Sequence, residues 1–294
     1  MVSREYPKGK NLKVLVLGSS GQVGSNLTEY LRKKDYEVEE FDIINSNEQD
    51  LRIINNTLLE QKIQSADFVV FLAFDVGGSR YLQKYQNTFD FVNNNNLIMV
   101  NTFSLLKKYE SKFIFASSQM SNMSHSSYGV LKNIGAKYTH SIGGLVFKLW
   151  NCYGFEADEE KSHVITDFIK KGFEKKEISM LTDGNEERDF LYIEDCSEAL
   201  EILISNYDKI DPKEEINIAS HKNIKIIEIA KIVKRQFEKI DINVDIIPSS
   251  KTDSIQKNKK NLPNNNFKTW WKPTTNIEDG IANIFDIYKK NYGY

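Results

Sequence analysis

The chain has 294 residues, 40% hydrophobic and 27% charged, enough for a core that folds unaided as one large or two small domains. Thirty-nine basic against 41 acidic side chains leave a net charge of −2, which argues against electrostatic binding of nucleic acid. No apolar run reaches the about 20 residues of a membrane helix, and the polar segment 1–11 leads into a strand without the pattern of a signal peptide. Two cysteines, Cys152 and Cys196, with no CxxC between them, fit a reducing, cytoplasmic compartment.

Along the chain, 13–17 is a short apolar run ending at Gly18, the pattern of a buried parallel strand. Residues 24–34 then space Val23, Leu27, Tyr30 and Leu31 for one helical face. Further strands are predicted at 37–41, 67–74, 112–116 and 144–149, with helices at 88–109 and 128–139. Strands alternating with helices imply an α/β fold with a Rossmann-type, doubly wound parallel sheet, because parallel strands need crossover connections. After Trp150 the elements shorten, with helices near 164–175, 193–205, 225–240 and 277–290. Residues 1–150 are thus expected to form a dinucleotide-binding domain that includes the catalytic residues. Residues 151–294 are expected to be mainly a substrate lobe, with some segments returning to the sheet. The Lys/Asn-rich stretch 251–266 reads as a surface loop, the Asn93–Asn96 run as polar helix surface, and Trp270-Trp271 as core packing. Lys257, Lys259 and Lys260 read as a solvated basic face. The four histidines show no ligand spacing, so no metal is expected.

Gly18-Ser-Ser-Gly21-Gln-Val-Gly24 joins the first strand to the first helix. Gly18 permits a tight turn, Gly21 a close approach of backbone to a pyrophosphate, and Gly24 close helix packing, while the helix N-terminus offers free N–H groups. Ser20, Gln22 and Val23 complete the loop. Asp42 ends the next strand, eighteen residues after Gly24, where an acid bridges the ribose hydroxyls and repels a 2′-phosphate. The expected cofactor is therefore NAD. Asp50-Leu51 lies where an adenine contact or an exposed loop acid are equally good readings.

Tyr128 and Lys132, four residues apart, share one helical face after the strand FIFA and its exit Ser117-Ser118-Gln119. A lysine beside a phenol, together with a cationic nicotinamide, would lower the phenol pKa, so that the phenolate takes a hydroxyl proton as hydride leaves the same carbon. A strand-end serine would orient the reacting oxygen.

With LVLGSSGQVGSNL, EEFDI, FLAFDVGG, FIFASSQ, YGVLK, FKLWNCYG, SHVITDFIKK, ERDFLYIEDCSEAL, INIAS and WWKPTTNIEDG, the chain resembles the extended short-chain dehydrogenases/reductases of the nucleotide-sugar epimerase/dehydratase family over nearly its whole length. The resemblance implies Tyr128 as base, Lys132 as its partner and ribose anchor, and Ser118 (Ser117 if the register slips by one) as the orienting hydroxyl. Leu72 and Ala73 would line the cofactor. Asn151 and Arg188 would hold the nucleoside diphosphate, Val164 and Ile165 would lie along the nucleotide, and Gly77 and Gly78 would face the sugar. Relatives dimerise through the two long helices, which implies a homodimer built on a four-helix bundle.

Two departures shape the expected reaction. Only nine residues separate Ser118 from Tyr128, where the family carries a long loop. Gln119-Met120 replaces the Asp-Glu pair of 4,6-dehydratases, and neither side chain transfers a proton. The SHVI segment resembles the GDP-sugar branch, whose His works with a Cys to epimerise C3 and C5. Met120 stands at that Cys, so His163 is expected to touch substrate without acid–base work. The expectation is NAD(H)-dependent oxidoreduction at C4 of a nucleoside-diphosphate sugar, GDP slightly preferred, as 4-dehydrogenase or 4-epimerase. A 4,6-dehydratase or 4-reductase stands second. A non-catalytic NAD-binding redox sensor is the competing class, and the complete Ser/Tyr/Lys set argues against it.

Overall fold

The structure, a computed structural model, describes residues 12–156, 158, 160–257 and 261–294. Residues 1–11 and Lys259 and Lys260 of the basic run lie outside the described residues. The main elements are β1 (Lys13–Leu17), α1 (Gln22–Lys33), β2 (Glu37–Phe41), α2 (Thr57–Ser65), β3 (Phe68–Phe71), α3 (Ser79–Tyr85), α4 (Phe89–Lys108), β4 (Phe113–Ser118), α5 (Ser127–Ser141) and β5 (Leu145–Leu149). The second half adds α6 (Val164–Lys175), α7 (Ile193–Ser205), β6 (Ile216–Ile218), α8 (Ile226–Glu238) and α9 (Ile277–Asn291). Six strands form one parallel sheet in the order β6-β5-β4-β3-β1-β2.

The sheet is parallel because its inner strands are apolar on both faces. Val14 and Val16 enter one core with Leu27, Phe147 and Leu200, whereas Leu15 and Leu17 enter the other with Phe41, Phe71 and Phe115. From β1 the chain runs to β2 on one side and returns to β3 on the other. The carboxyl ends of β1 and β3 therefore splay their connections apart, which is where ligands of such sheets bind. β6, although late in sequence, pairs with β5 at Ile216↔Phe147. Among the described residues no helix is long and apolar enough to cross a membrane.

Several boundaries differ from the sequence reading. β3 stops at Phe71 because the Leu72 and Ala73 amides both donate to Leu17 O (3.0 and 2.9 Å), which turns the chain off the ladder. Two helices escaped the pattern. α2 is weakly amphipathic and is held by Asn56, whose Oδ1 accepts Leu59 N–H at 3.0 Å; α3 spans only seven residues. Stretch 251–266 is more than a surface loop, since Ile255 is buried in the same core as Leu82, Met120 and Met123. Trp271 is buried and donates to Glu198 at 2.9 Å.

Asn95, read as helix surface, is fully buried. Its amide donates to Phe91 O (2.9 Å) and Asp75 O (3.1 Å) and accepts from Asp75 N–H (2.8 Å). N95A strands the Asp75 backbone groups and is expected to cost about 1–3 kcal/mol, read as a lower urea midpoint. An unchanged midpoint would contradict this role.

Candidate active site

The turn from β1 to α1 is held by its glycines. Gly18 has φ +87°, and its amide donates to Phe41 O at 2.9 Å, tying the turn to the end of β2. A Cβ at Gly18 would lie 2.7 Å from Ala73 N, and one at Gly24 would lie 2.0 Å from Gly18 O. Gly21 differs: a Cβ there would meet only Gly18 O at an ordinary 3.5 Å, so the protein's own packing leaves its outer face free. Gly21 is also the N-cap of α1 and supplies no capping side chain, so the first-turn N–H groups keep their capacity to bind an anion. Asp42 Oδ2 accepts Ser20 N–H (2.9 Å) and Oδ1 accepts Ile44 N–H (3.0 Å), which fixes the carboxylate at the mouth of the turn. A pyrophosphate cradle beside a fixed acid fits NAD, and the residues present suit it. Asp50 is gripped by Arg52 through Nε (2.9 Å to Oδ1) and the guanidinium tip (2.8 Å to Oδ2), while Leu51 is buried beside it. Gln22 reaches Gly154 O at 3.5 Å, and Val23 packs partly against the core.

At the end of β4, Ser118 Oγ accepts Met120 N–H at 3.1 Å and lies beside the Tyr128 phenol. Ser117 is buried and faces Lys132 O, so the register leaves Ser118 beside the phenol. Ser126 caps α5 by accepting Gly129 N–H at 3.1 Å. The short interval is possible because 119–122 is a single tight turn laid on α5, where a Cβ at Gly129 would meet Met120 O at 2.2 Å. Burial pushes the Tyr128 phenol up to about 12, with the Ser118 hydrogen bond pulling the other way. Burial pushes Lys132 down to about 7. Although the spacing places both on α5, Lys132 Nζ does not meet the phenol. It donates to Ala116 O at 2.7 Å and lies 6.0 Å from the Tyr128 ring centre, under the ring of Phe74.

The remaining residues form two groups around this centre. Gly77 and Gly78 lie against 161–163: Gly78 N–H donates to Lys161 O at 2.9 Å, and a Cβ at Gly78 would fall 2.3 Å from Ser162 O. This brings the loop to His163 and to Val164, the first residue of α6, with Ile165 buried behind. His163 is not alone. Its N–H donates to Glu156 Oε2 (2.9 Å) and its Nδ1 lies 2.5 Å from Oε1. In the second group, Asn151 donates to Asp189 O at 2.7 Å and accepts from Gln119 at 3.1 Å, linking the end of β4 to the strand Glu187–Asp189. Arg188 on that strand is buried and ion-paired with Asp253 of the 251–257 segment. Sequence reasoning missed Glu156, Gln119, Asp253 and Phe74. Glu156 and Asp253 sit in irregular chain, where no periodicity points at a partner.

Burial alone would lower the His163 pKa, but the Glu156 carboxylate outweighs it and holds the imidazole protonated above the usual histidine value. Burial would raise Glu156, and the His163 charge reverses that. The pair therefore stabilises the fold fully between the ordinary Glu and His values, about 4.3 to 6.5. That stability fades as pH rises through the raised His163 pKa, and again as it falls through the lowered Glu156 pKa. The imidazole is 42% exposed, so solvent screens the contribution. E156Q is expected to bring the His163 NMR titration midpoint down toward an ordinary histidine. An unmoved midpoint would show that the carboxylate does not set it.

A doubly wound sheet with a glycine cradle, an acid at the next strand end and a Ser–Tyr pair at the sheet's carboxyl edge defines a Rossmann-type, dinucleotide-dependent enzyme fold. The profile of the NAD dependent epimerase/dehydratase family matches residues 14–219, and the chain belongs to that family. It is similar to a GDP-L-fucose synthase of Sinorhizobium fredii, 27% identical over 319 aligned residues that cover 95% of this chain and 96% of the relative. It is also similar to a putative UDP-glucose 4-epimerase of Methanocaldococcus jannaschii, 23% identical over 324 residues, covering 95% and 99%. Among solved structures, a GDP-6-OMe-4-keto-L-xylo-heptose reductase from C. jejuni shares the fold with a TM-score of 0.80 at 18% identity, covering 96% of this chain and 98% of that one. The chain is thus an enzyme of the NAD-dependent epimerase/dehydratase type.

Proposed function

We propose that this enzyme moves hydride to and from C4 of a nucleoside-diphosphate sugar, as a 4-dehydrogenase or a 4-epimerase. The observation that carries the reading is the placement of Ser118, at the carboxyl end of β4, beside the Tyr128 phenol at the start of α5. Bound NAD+ supplies the hydride acceptor. Tyr128 as phenolate takes the C4 hydroxyl proton, Ser118 donates to the same oxygen and orients it, and Lys132 serves as the ribose anchor, lending charge to the phenolate once it turns from Ala116 O. Gly18, Gly21, Gly24 and Asp42 hold the cofactor, with Ser20, Gln22, Val23, Leu72 and Ala73 lining it and Asp50 and Leu51 near the adenine. Asn151 and Arg188 bind the diphosphate, while Gly77, Gly78, His163 and Val164 lie along the nucleotide sugar. Residues 1–150 act as the NAD domain and 151–294 mainly as the sugar-nucleotide lobe. With Gln119 and Met120 after Ser118, no acid–base pair for loss of water follows the hydroxyl residue.

The likeness to a GDP-L-fucose synthase supports a GDP-sugar, and the likeness to a putative UDP-glucose 4-epimerase and a 4-keto-heptose reductase supports chemistry at C4. The surfaces of α4 and α5 expose Val100, Val130, Ile134 and Tyr138, and the last three recur every fourth residue on α5. This apolar stripe suits a homodimer through a four-helix bundle. Incubation with GDP- and UDP-hexoses and heptoses, following NADH absorbance and product mass, tests the reading. A keto product means dehydrogenase, an isomeric product of equal mass means epimerase, and loss of water contradicts both. NAD+ binding without turnover of any sugar favours the sensor.

A further inference from the structure

Phe74 follows Ala73 at the mouth of β3 and covers the pair to which the chemistry is assigned. Its ring centre lies 3.8 Å from Lys132 Nζ, and its ring meets that of Tyr128 edge-on at 5.9 Å and 74°. Beneath it, Lys132 donates to Ala116 O and passes 5.1 Å from the Phe115 ring, and the residue is 3% exposed. Two aromatic faces and a carbonyl thus enclose an ammonium that has three donors to offer. Phe74 itself is part-exposed at the edge of the crevice.

The backbone on either side of Phe74 is pinned. Ala73 N–H is held by Leu17 O at 2.9 Å, and both Asp75 backbone groups are held by Asn95 at 2.8 and 3.1 Å. Movement at position 74 therefore falls to its side-chain torsions. The glycine turn and Asp42, which suit the ADP half of a dinucleotide, form a cradle of their own, held by Ser20 N–H on Asp42 Oδ2 at 2.9 Å.

We infer that Phe74 is a positioning residue that gates the nicotinamide half of the cofactor site: its ring holds Lys132 away from a cofactor ribose and must turn aside before that ribose can reach Nζ. The inference rests on the NAD(H) reading above. A gate that stands open about a tenth of the time weakens apparent affinity by about tenfold. That loss would fall on NAD+, whose second ribose needs Lys132 on this reading, and spare ADP, which lacks that ribose.

The test is calorimetric titration of wild-type protein, F74A and F74L with NAD+ and with ADP. F74A is expected to bind NAD+ about fivefold to tenfold more tightly, with ADP affinity unchanged and F74L between. In stopped flow, NADH fluorescence is expected to show a slow, concentration-independent phase in the wild type that disappears in F74A. Unchanged or weaker NAD+ binding in F74A, with ADP binding intact, overturns the gate. If F74A fails to fold, seen as loss of ADP binding, F74L carries the same comparison. Failure of the wild type to bind either ligand overturns the NAD reading itself, a different result from failure of the gate.

Discussion

Tyr128→Phe is expected to lower kcat by about 10²–10⁴-fold, the usual span for loss of a positioned acid–base group, while NAD+ still binds. The ring keeps its edge-on packing against Phe74, so the variant removes one oxygen and little packing. What disappears is the phenol oxygen beside Ser118 that would accept the substrate proton. Burial sets this phenol high, about 12, so the wild-type rate is expected to rise with pH along its acid limb as the base ionises. The variant should lose that dependence along with the rate. A variant with near-normal kcat would move the proton transfer to another residue and remove the basis for the proposed chemistry.

Gly24→Ala is expected to have the largest effect on cofactor binding. Its Cβ would fall 2.0 Å from Gly18 O and 2.8 Å from Ser19 Cα, both backbone atoms that no side-chain rotation can move. Either α1 shifts away from the sheet or the turn deforms. The overpacking costs about 1–3 kcal/mol of stability, and the deformed turn no longer presents the first-turn N–H groups together. NAD+ affinity should fall by more than about tenfold, that is, by over 1.4 kcal/mol. Gly21→Ala is the informative contrast, because its Cβ has room within the protein. It should fold normally and lose affinity only if a phosphate lies against that face. Equal NAD+ affinity in both variants and the wild type would exclude this turn as the cradle.

Much of the scaffold could be read from the chain. Strands buried on both faces announce themselves as apolar runs, and β1, β2 and β5 lie within a residue of their predicted bounds. Gly18 and Gly24 are legible because each answers a steric demand of the packed turn, and the positions of Ser118 at a strand end and of Tyr128 and Lys132 on one helix follow from the spacing. Less could be read where partners are distant in sequence. Asn95 looked solvated because its neighbours are asparagines, yet Asp75, twenty residues away, draws it inside. Arg188 and Asp253 meet across sixty-five residues, and nothing local to either predicts the other. The Tyr128–Lys132 spacing indicated a shared helical face but not the direction of the lysine. The Nζ lies among Ala116 O and the rings of Phe74 and Phe115, which helical periodicity does not report.

The most direct measurement is the fate of the C4 hydrogen. A nucleoside-diphosphate hexose deuterated at C4, incubated with the enzyme and NAD+, is expected to place deuterium on the nicotinamide, as free reduced cofactor for a dehydrogenase or transiently before return to C4 for an epimerase. A primary isotope effect should accompany the transfer, and Tyr128→Phe should suppress both. Turnover that leaves all deuterium on C4, or releases it to water without passing through the nicotinamide, would contradict hydride transfer at C4.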